Sequence, residues 1–147
     1  MLTDRIEREI VISAPPQRVW QVLTEAEHIS GWFGDATEID LRPGGAIVFT
    51  WSEHGSHHGV VARVEPPRLF SFRWARPAGE PATEGNSTLV EFTLSPDGAG
   101  TRLRMVETGF AGLQVSDADK GVAVKENTEG WIAELGELRE YAERPAA

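Results

Sequence analysis

Apolar and polar residues alternate along much of this chain, in short runs that turn-forming residues separate. The runs are rich in β-branched and aromatic residues and show the period of two that half-buried strands have. Pro43-Gly44-Gly45, Pro66-Pro67 and Asp97-Gly98-Ala99-Gly100 mark turns between them. The pattern predicts seven strands in an antiparallel meander, at residues 6–13, 37–41, 47–52, 57–64, 69–74, 88–94 and 102–108.

Two prolines follow the first strand and predict a short helix. Pro15 and Pro16 have no backbone N–H to offer a sheet, and their fixed φ suits the first turn of a helix. An apolar stripe with helical spacing comes next, formed by Val19, Trp20 and Leu23. The segment therefore predicts a helix that packs one face against the sheet.

A second short helix is predicted directly after the first. Thr24 and Glu27 have the spacing of a capping box, in which the hydroxyl and the carboxylate each bond a free backbone N–H of the other residue. We expect the helix to start at Thr24 and to end at Gly31.

A long helix is predicted near the C-terminus. One helical face holds Val124, Thr128, Trp131, Leu135, Leu138 and Ala142, with acidic residues between them. Gly130 and Gly136 each cost this helix on the order of 1 kcal/mol against alanine. We therefore expect a close approach of backbone or ligand there, with simple tolerance as the alternative.

Residues 75–87 hold prolines and glycines with almost no apolar side chain, and predict a long mobile loop.

These elements predict an α+β fold in which a curved seven-stranded antiparallel sheet wraps around the last helix, the helix-grip arrangement. The chain has 147 residues, of which 40% are hydrophobic. This is enough for one compact domain, which we expect to span residues 1–147.

Composition and charge narrow the classes of function. The net charge is −9 and the pI about 4.9, which argues against nucleic acid and anionic membranes as partners. There is no cysteine, so neither a disulfide framework nor a thiolate nucleophile is expected. No segment resembles a secretory signal or a membrane span, which predicts a cytoplasmic protein.

An ordered set of short motifs carries a family resemblance over nearly the whole chain. They are Ile12-Ser13-Ala14-Pro15-Pro16, Val19-Trp20, Gly31-Trp32-Phe33, Gly44-Gly45, Pro66-Pro67-Arg68-Leu69, Thr88-Leu89-Val90-Glu91-Phe92, Gly100-Thr101-Arg102-Leu103, Thr108-Gly109-Phe110 and Gly130-Trp131. The chain resembles the proteins similar to the activator of the heat-shock protein 90 ATPase, in the START and polyketide-cyclase-like superfamily. This resemblance implies a helix-grip (START-like) domain with a cavity between the sheet and the C-terminal helix, which the superfamily uses for apolar molecules.

Side chains that face this cavity follow from strand periodicity, because alternate residues of a strand share a face. Four inward sets are predicted: Ile47, Phe49 and Trp51; Phe70, Phe72 and Trp74; Val90, Phe92 and Leu94; Leu103, Met105 and Glu107. The alternative is that these rings only fill a core. The predicted ligand pocket consists of Trp32, Trp51, Phe72, Trp74, Phe92, Met105, Glu107, Trp131 and Leu135.

Two groups of polar side chains are candidates for chemistry. Glu107 in an apolar wall could act as an acid or base or hold a polar group of a ligand, whereas at an open strand end it would lie in water or pair with an arginine. The second group, His54, His57 and His58, lies close in sequence. The spacing allows a metal site, but a solvated polar loop is the better interpretation. Strand periodicity predicts that His58 alone of the three points inward.

Three functions remain open. The first, which we expect, is binding of a small hydrophobic or amphipathic molecule by a monomer or homodimer without metal or cofactor. The second is a cyclase-like or hydrolase-like enzyme that uses Glu107 and His58, although no catalytic motif is visible. The third is a co-chaperone or stress-response role, as the family name implies; the full-length activators carry an additional N-terminal domain that this sequence does not show.

Overall fold

Seven strands form one antiparallel sheet in the structure, a computed structural model that describes residues 4–144. The strands are β1 (Arg5–Ile12), β2 (Ala36–Ile39), β3 (Ala46–Trp51), β4 (Gly55–Glu65), β5 (Leu69–Ala75), β6 (Ser87–Asp97) and β7 (Gly100–Thr108). Their order is β1-β7-β6-β5-β4-β3-β2, so β2 to β7 form a meander and β1 pairs with the last strand. The predicted antiparallel meander is confirmed.

Within residues 4–144, three α-helices accompany the sheet. They are α1 (Pro16–Thr24) and α2 (Ala26–Ile29), both between β1 and β2, and α3 (Asp117–Glu143), which follows a 3-10 turn at Phe110–Gly112. Helix α3 starts earlier than the predicted apolar face, because Ser116 caps it by accepting a hydrogen bond from the Asp119 N–H (3.1 Å). No helix within residues 4–144 is long and apolar enough to cross a membrane.

The predicted capping box at Thr24 and Glu27 is wrong. Thr24 is the last residue of α1, and its hydroxyl donates to the Trp20 carbonyl one turn earlier (2.8 Å). Glu25 has extended backbone and occupies the cap position of α2, without a side-chain hydrogen bond. The hydroxyl bonds within α1 because Thr24 continues that helix instead of opening the next one.

The core lies between the sheet and the helices. All four predicted inward sets have their side chains on the inner face, and all of them are buried except Trp51 and Trp74. Helix α3 covers this face with Trp131, Leu135 and Leu138, and the Trp131 ring meets the Phe92 ring edge-on at 5.9 Å. The α+β helix-grip fold is therefore confirmed.

Gly130 and Gly136 of α3 do not mark a close approach of other backbone. A Cβ atom at Gly130 or Gly136 would have no other part of the protein within 4 Å. The expected close contact with backbone is therefore wrong, and the expected approach of a ligand stays a prediction.

The segment between β5 and β6 is held at several points. The Gly79 N–H donates to the Ser56 carbonyl, and the Arg76 N–H donates to the Asn86 carbonyl, both at 2.8 Å. The Gln114 N–H bonds the Gly85 carbonyl at the same distance. High mobility of this segment stays a prediction.

Candidate functional site

A cleft with two lobes opens between the sheet and α3, and both lobes are lined by Trp51, Trp74 and Asn127. The histidine lobe has a volume of about 240 Å³ and is completed by His54, His57, Ala75, Arg76, Thr88 and Phe110. The glutamate lobe has a volume of about 160 Å³ and is completed by Phe33, Glu126, Gly130, Trp131 and Glu134. Side chains of the sheet and of α3 thus line the same space.

Two indole rings form the wall that the lobes share. Trp51 ends β3 and Trp74 lies one residue before the end of β5, and both stay half-buried. Phe33 packs between them, with its ring centre 5.0 Å from that of Trp51 and 5.7 Å from that of Trp74. Trp131 stacks parallel to Phe33 at 5.5 Å and also contacts Trp74 at 6.0 Å. The wall is therefore a rigid aromatic cluster with part of its surface open to solvent.

The Glu107 carboxylate lies behind this wall and is fully buried. Its Oε2 accepts hydrogen bonds from the Trp74 indole N–H (3.0 Å) and the Thr88 hydroxyl (2.6 Å). Its Oε1 accepts one from the Trp131 indole N–H (2.8 Å). The Asn127 amide donates to both oxygens at 3.1 Å. Since all four donors line the cleft, Glu107 fixes the positions of side chains from β5, β6 and α3 at once.

These hydrogen bonds decide whether Glu107 lies inside the fold or at an open strand end. The side chain lies inside the fold, as the strand periodicity predicts; it is fully buried, and no arginine is among its hydrogen-bond partners within residues 4–144. Its hydrogen-bond partners within residues 4–144 all donate, and none of them is titratable. A carboxylate that is held in this way positions its neighbours. Its use as an acid or base stays a prediction.

Arg76 joins the loop after β5 to α3 at the rim of the histidine lobe. Its guanidinium donates to the Asn127 side-chain oxygen (3.1 Å) and to the Glu126 carboxylate (2.7 Å). Asn127 thus accepts from Arg76 and donates to Glu107. The positive charge at the rim is therefore connected to the buried carboxylate through one amide.

Of the three histidines, His57 faces the cleft on β4, and the prediction for His58 is wrong. His57 pairs across the sheet with Phe49, whose side chain is buried, and His58 pairs with Val48 on the outer face. The His57 ring meets the Trp51 ring edge-on at 5.6 Å, and its Nδ1 donates to the Ala75 carbonyl at 3.2 Å. His54, in the preceding turn, also lines the histidine lobe.

The predicted pocket residues fall into two groups. Trp51, Trp74 and Trp131 line the cleft. Trp32, Phe72 and Phe92 instead border an interior void of about 10 Å³, which is barely the space of one water molecule. The side chains of Met105 and Leu135 are also buried in the core. The wide cavity under the centre of the sheet is thus filled by side chains, and the open space lies beside the middle of α3, next to the ends of β3 and β5.

Several lining residues were missing from the sequence prediction, and two of them had a usable signal. Asn127 lies four residues before Trp131 on α3, and Glu134 lies three residues after it, so both share its side of the helix. Arg76 and Phe33 are in connecting segments, where no periodicity places a side chain. Only the tertiary structure brings these two into the cleft.

The chain is similar to proteins of known structure over nearly its whole length. It is 25% identical to protein MLL2253 from Mesorhizobium loti, with a TM-score of 0.81 over 97% of this chain and 99% of that one. It is 27% identical to CalU16 from Micromonospora echinospora, with a TM-score of 0.71 over 94% and 75% of the two chains. The Aha1 dimer from Colwellia psychrerythraea is 19% identical with a TM-score of 0.78 over 96% and 97%, which shows the fold alone. No curated protein matches the sequence significantly.

A sequence profile gives the family assignment that the ordered motifs predict. The family described as Activator of Hsp90 ATPase homolog 1-like protein matches residues 13–143. This range begins just after β1 and ends with α3, and it includes every residue that lines the two lobes. The chain therefore belongs to the family of Activator of Hsp90 ATPase homolog 1-like proteins.

Proposed function

We propose that this protein binds a small hydrophobic or amphipathic molecule in the cleft between the sheet and α3. One observation carries the proposal: the half-buried rings of Trp51 and Trp74 form a shared wall of two adjoining lobes, with volumes of about 240 and 160 Å³. Together these lobes reach the lower end of the range for ligand pockets, about 300 to 1,000 Å³. Such a wall offers apolar surface that a flat molecule could remove from water.

Several polar side chains of the histidine lobe are held by hydrogen bonds within the protein, which suits recognition of a polar group on the ligand. Asn127 is held by Glu107 on one side and by Arg76 on the other. His57 is held by its bond to the Ala75 carbonyl. Because these side chains are already ordered, a ligand would lose little free energy in arranging them.

We assign separate roles to the residues that the sequence singled out. Trp51, Trp74 and Trp131 contact the ligand, and Glu107 positions two of these indoles through its hydrogen bonds. The buried residues support the wall from behind: Trp32, Phe72, Phe92, Met105 and Leu135. An acid–base enzyme would need a second titratable group beside Glu107, and no such group contacts it within residues 4–144.

The test is a titration with N-phenyl-1-naphthylamine, an uncharged aromatic probe whose fluorescence rises in apolar surroundings. We expect saturable binding that Trp51→Leu weakens at least fivefold. Trp20→Leu is the matched control, because Trp20 is also half-buried but packs on Phe70, away from both lobes. Equal affinities of the two variants, or no saturable binding to the unmodified protein, would contradict the proposal. Trp131→Ala is a poorer choice, since it also removes a partner of Glu107.

Partners and location form a second proposal, which the family supports. The family description names an activator of the Hsp90 ATPase, and the Colwellia psychrerythraea relative is an Aha1 dimer. We propose a cytoplasmic protein that forms a monomer or homodimer, with a stress-response role through chaperone contact as the alternative to ligand binding. Light scattering gives the oligomeric state, and a pull-down with purified Hsp90 tests the contact. Failure to bind at micromolar concentration would remove the chaperone alternative.

A further inference from the structure

We infer that the glutamate lobe binds a positively charged group of the ligand, an organic ammonium, against the indoles of Trp51 and Trp74 and the carboxylate of Glu134. The inference rests on the proposed function and adds the chemical class of the ligand. Aromatic rings attract cations through the negative charge of their faces, and the attraction grows where water is excluded.

The lining of this lobe combines aromatic rings with carboxylates. Phe33 and Trp131 are nearly buried and form its base, while Trp51 and Trp74 supply the accessible ring surface. An ammonium group with methyl substituents fits such a lining better than a hydrated metal ion, because it has apolar surface to bury as well as charge. The lobe volume of about 160 Å³ leaves room for a group of this kind.

The charges around the lobe are not balanced. Glu126 is paired with Arg76, whose guanidinium lies on the histidine lobe. Glu134 has no ion-pair partner within residues 4–144, and Glu137 on the same helix adds a second negative charge nearby. The side chains that face Glu134 across the lobe from other elements are the rings of Phe33, Trp51 and Trp74, none of which is titratable.

Glu134 also shows the electrostatic cost of leaving this charge unpaired. Partial burial, and secondarily repulsion by Glu137, raise the pKa of the Glu134 carboxyl from 4.5 to about 7. A bound cation would favour the ionised carboxylate and lower this pKa. Cation binding should therefore strengthen as the pH rises through about 7, because Glu134 loses its proton in that range.

The test compares two probes of the same shape that differ in charge. Phenyltrimethylammonium is a cation, and 2-phenyl-2-propanol is its neutral counterpart. At pH 8.5 we expect the cation to bind on the order of tenfold more tightly than the alcohol. This preference should shrink several-fold at pH 5.5. Glu134→Gln should lower the preference at pH 8.5 to about the value that the unmodified protein has at pH 5.5 and should remove its pH dependence, with a much smaller change in affinity for the alcohol.

Control variants separate the local carboxylate from the net charge. Glu140→Gln removes one negative charge from the exposed side of the same helix and lines neither lobe, so it should keep the preference. Glu137→Gln should shift the pH dependence to lower pH, since it removes the repulsion at Glu134. Equal affinity for the two probes, tighter binding of benzoate than of the cation, or the same loss in Glu140→Gln would overturn the inference. If none of the probes binds at any pH, the proposed function itself fails.

Discussion

Replacing Glu107 by leucine should destabilise the protein and loosen the aromatic wall of the cleft. Leucine fills a similar volume but accepts no hydrogen bond, so the donors around the carboxylate lose their acceptor. The Trp131 indole N–H is left without any partner in a buried position. The Trp74 N–H keeps only its longer contact with the Thr88 hydroxyl (3.2 Å).

The size of the destabilisation follows from the donors that lose their acceptor. A buried donor that loses its acceptor costs about 1 to 3 kcal/mol. The Asn127 amide is half-buried and can turn to solvent, and the Thr88 hydroxyl can rotate, so Trp131 dominates the loss and Trp74, which keeps a weaker acceptor, adds a smaller part. Leucine also removes the cost of burying a charge, and this gain offsets part of the loss in unfolding free energy. We expect a net loss of about 3 kcal/mol, out of a stability on the order of 10 kcal/mol for a chain of this size.

The assay is urea unfolding followed by far-ultraviolet circular dichroism, which does not depend on the tryptophans that the variant disturbs. Met105→Leu is the matched control, because Met105 is buried on the same face of the same strand, and a volume-conserving change there costs less than about 1.5 kcal/mol. In a Trp131→Phe background, which lacks the indole N–H, the Glu107→Leu cost should be smaller. A Glu107→Leu protein as stable as Met105→Leu would refute the assignment of a positioning role.

Three further predictions concern stability and motion. Glu134 binds its proton more tightly in the folded state, with a pKa of about 7 against 4.5, so its contribution to stability falls as the pH rises from about 4.5 to 7. Glu134→Gln should remove this fall, which amounts to about 1 kcal/mol after allowance for solvent screening. A variant whose urea unfolding has the same pH profile as the unmodified protein would contradict the prediction. Gly136→Ala should raise the unfolding free energy by about 0.5 to 1 kcal/mol, because the new methyl group meets open space on a helix, whereas Gly45→Ala should lower it by a steric clash. Residues 76–86 should exchange their amide hydrogens faster than the adjoining strands β5 and β6, and equal protection would rule out the mobile-loop interpretation.

The strands and the long helix could be predicted because their signals are local and repeated. Alternation at Leu103, Met105 and Glu107 correctly placed a carboxylate inside the sheet, since side-chain direction in a strand depends only on parity. The same logic fails for His58, because β4 has a bulge between Val61 and Arg63 that reverses the parity: Val64 packs against the core, whereas His58 pairs with Val48 on the outer face. Parity within one strand has two solutions, and only the partner strand chooses between them.

The cleft itself could be predicted only in part. Trp51 and Trp74 were identified as strand residues on the inner face, and both line the open space. Phe72 and Phe92 lie on the same face but are packed in the core. Whether a ring on this face is packed or open depends on which part of the sheet α3 covers. The hydrogen bonds that Glu107 makes join four elements of the chain, and no local pattern encodes such an arrangement.

The most direct test of the account follows the indole N–H signals of the five tryptophans by nuclear magnetic resonance during a titration with 2-phenyl-2-propanol. If the ligand site is the cleft, the signals of Trp51, Trp74 and Trp131 should shift in a saturable manner with one common affinity. The signals of Trp20 and Trp32 should stay in place, since neither residue lines either lobe. Saturable shifts at Trp20 or Trp32 without shifts at Trp51 and Trp74 would place the ligand elsewhere and contradict the account.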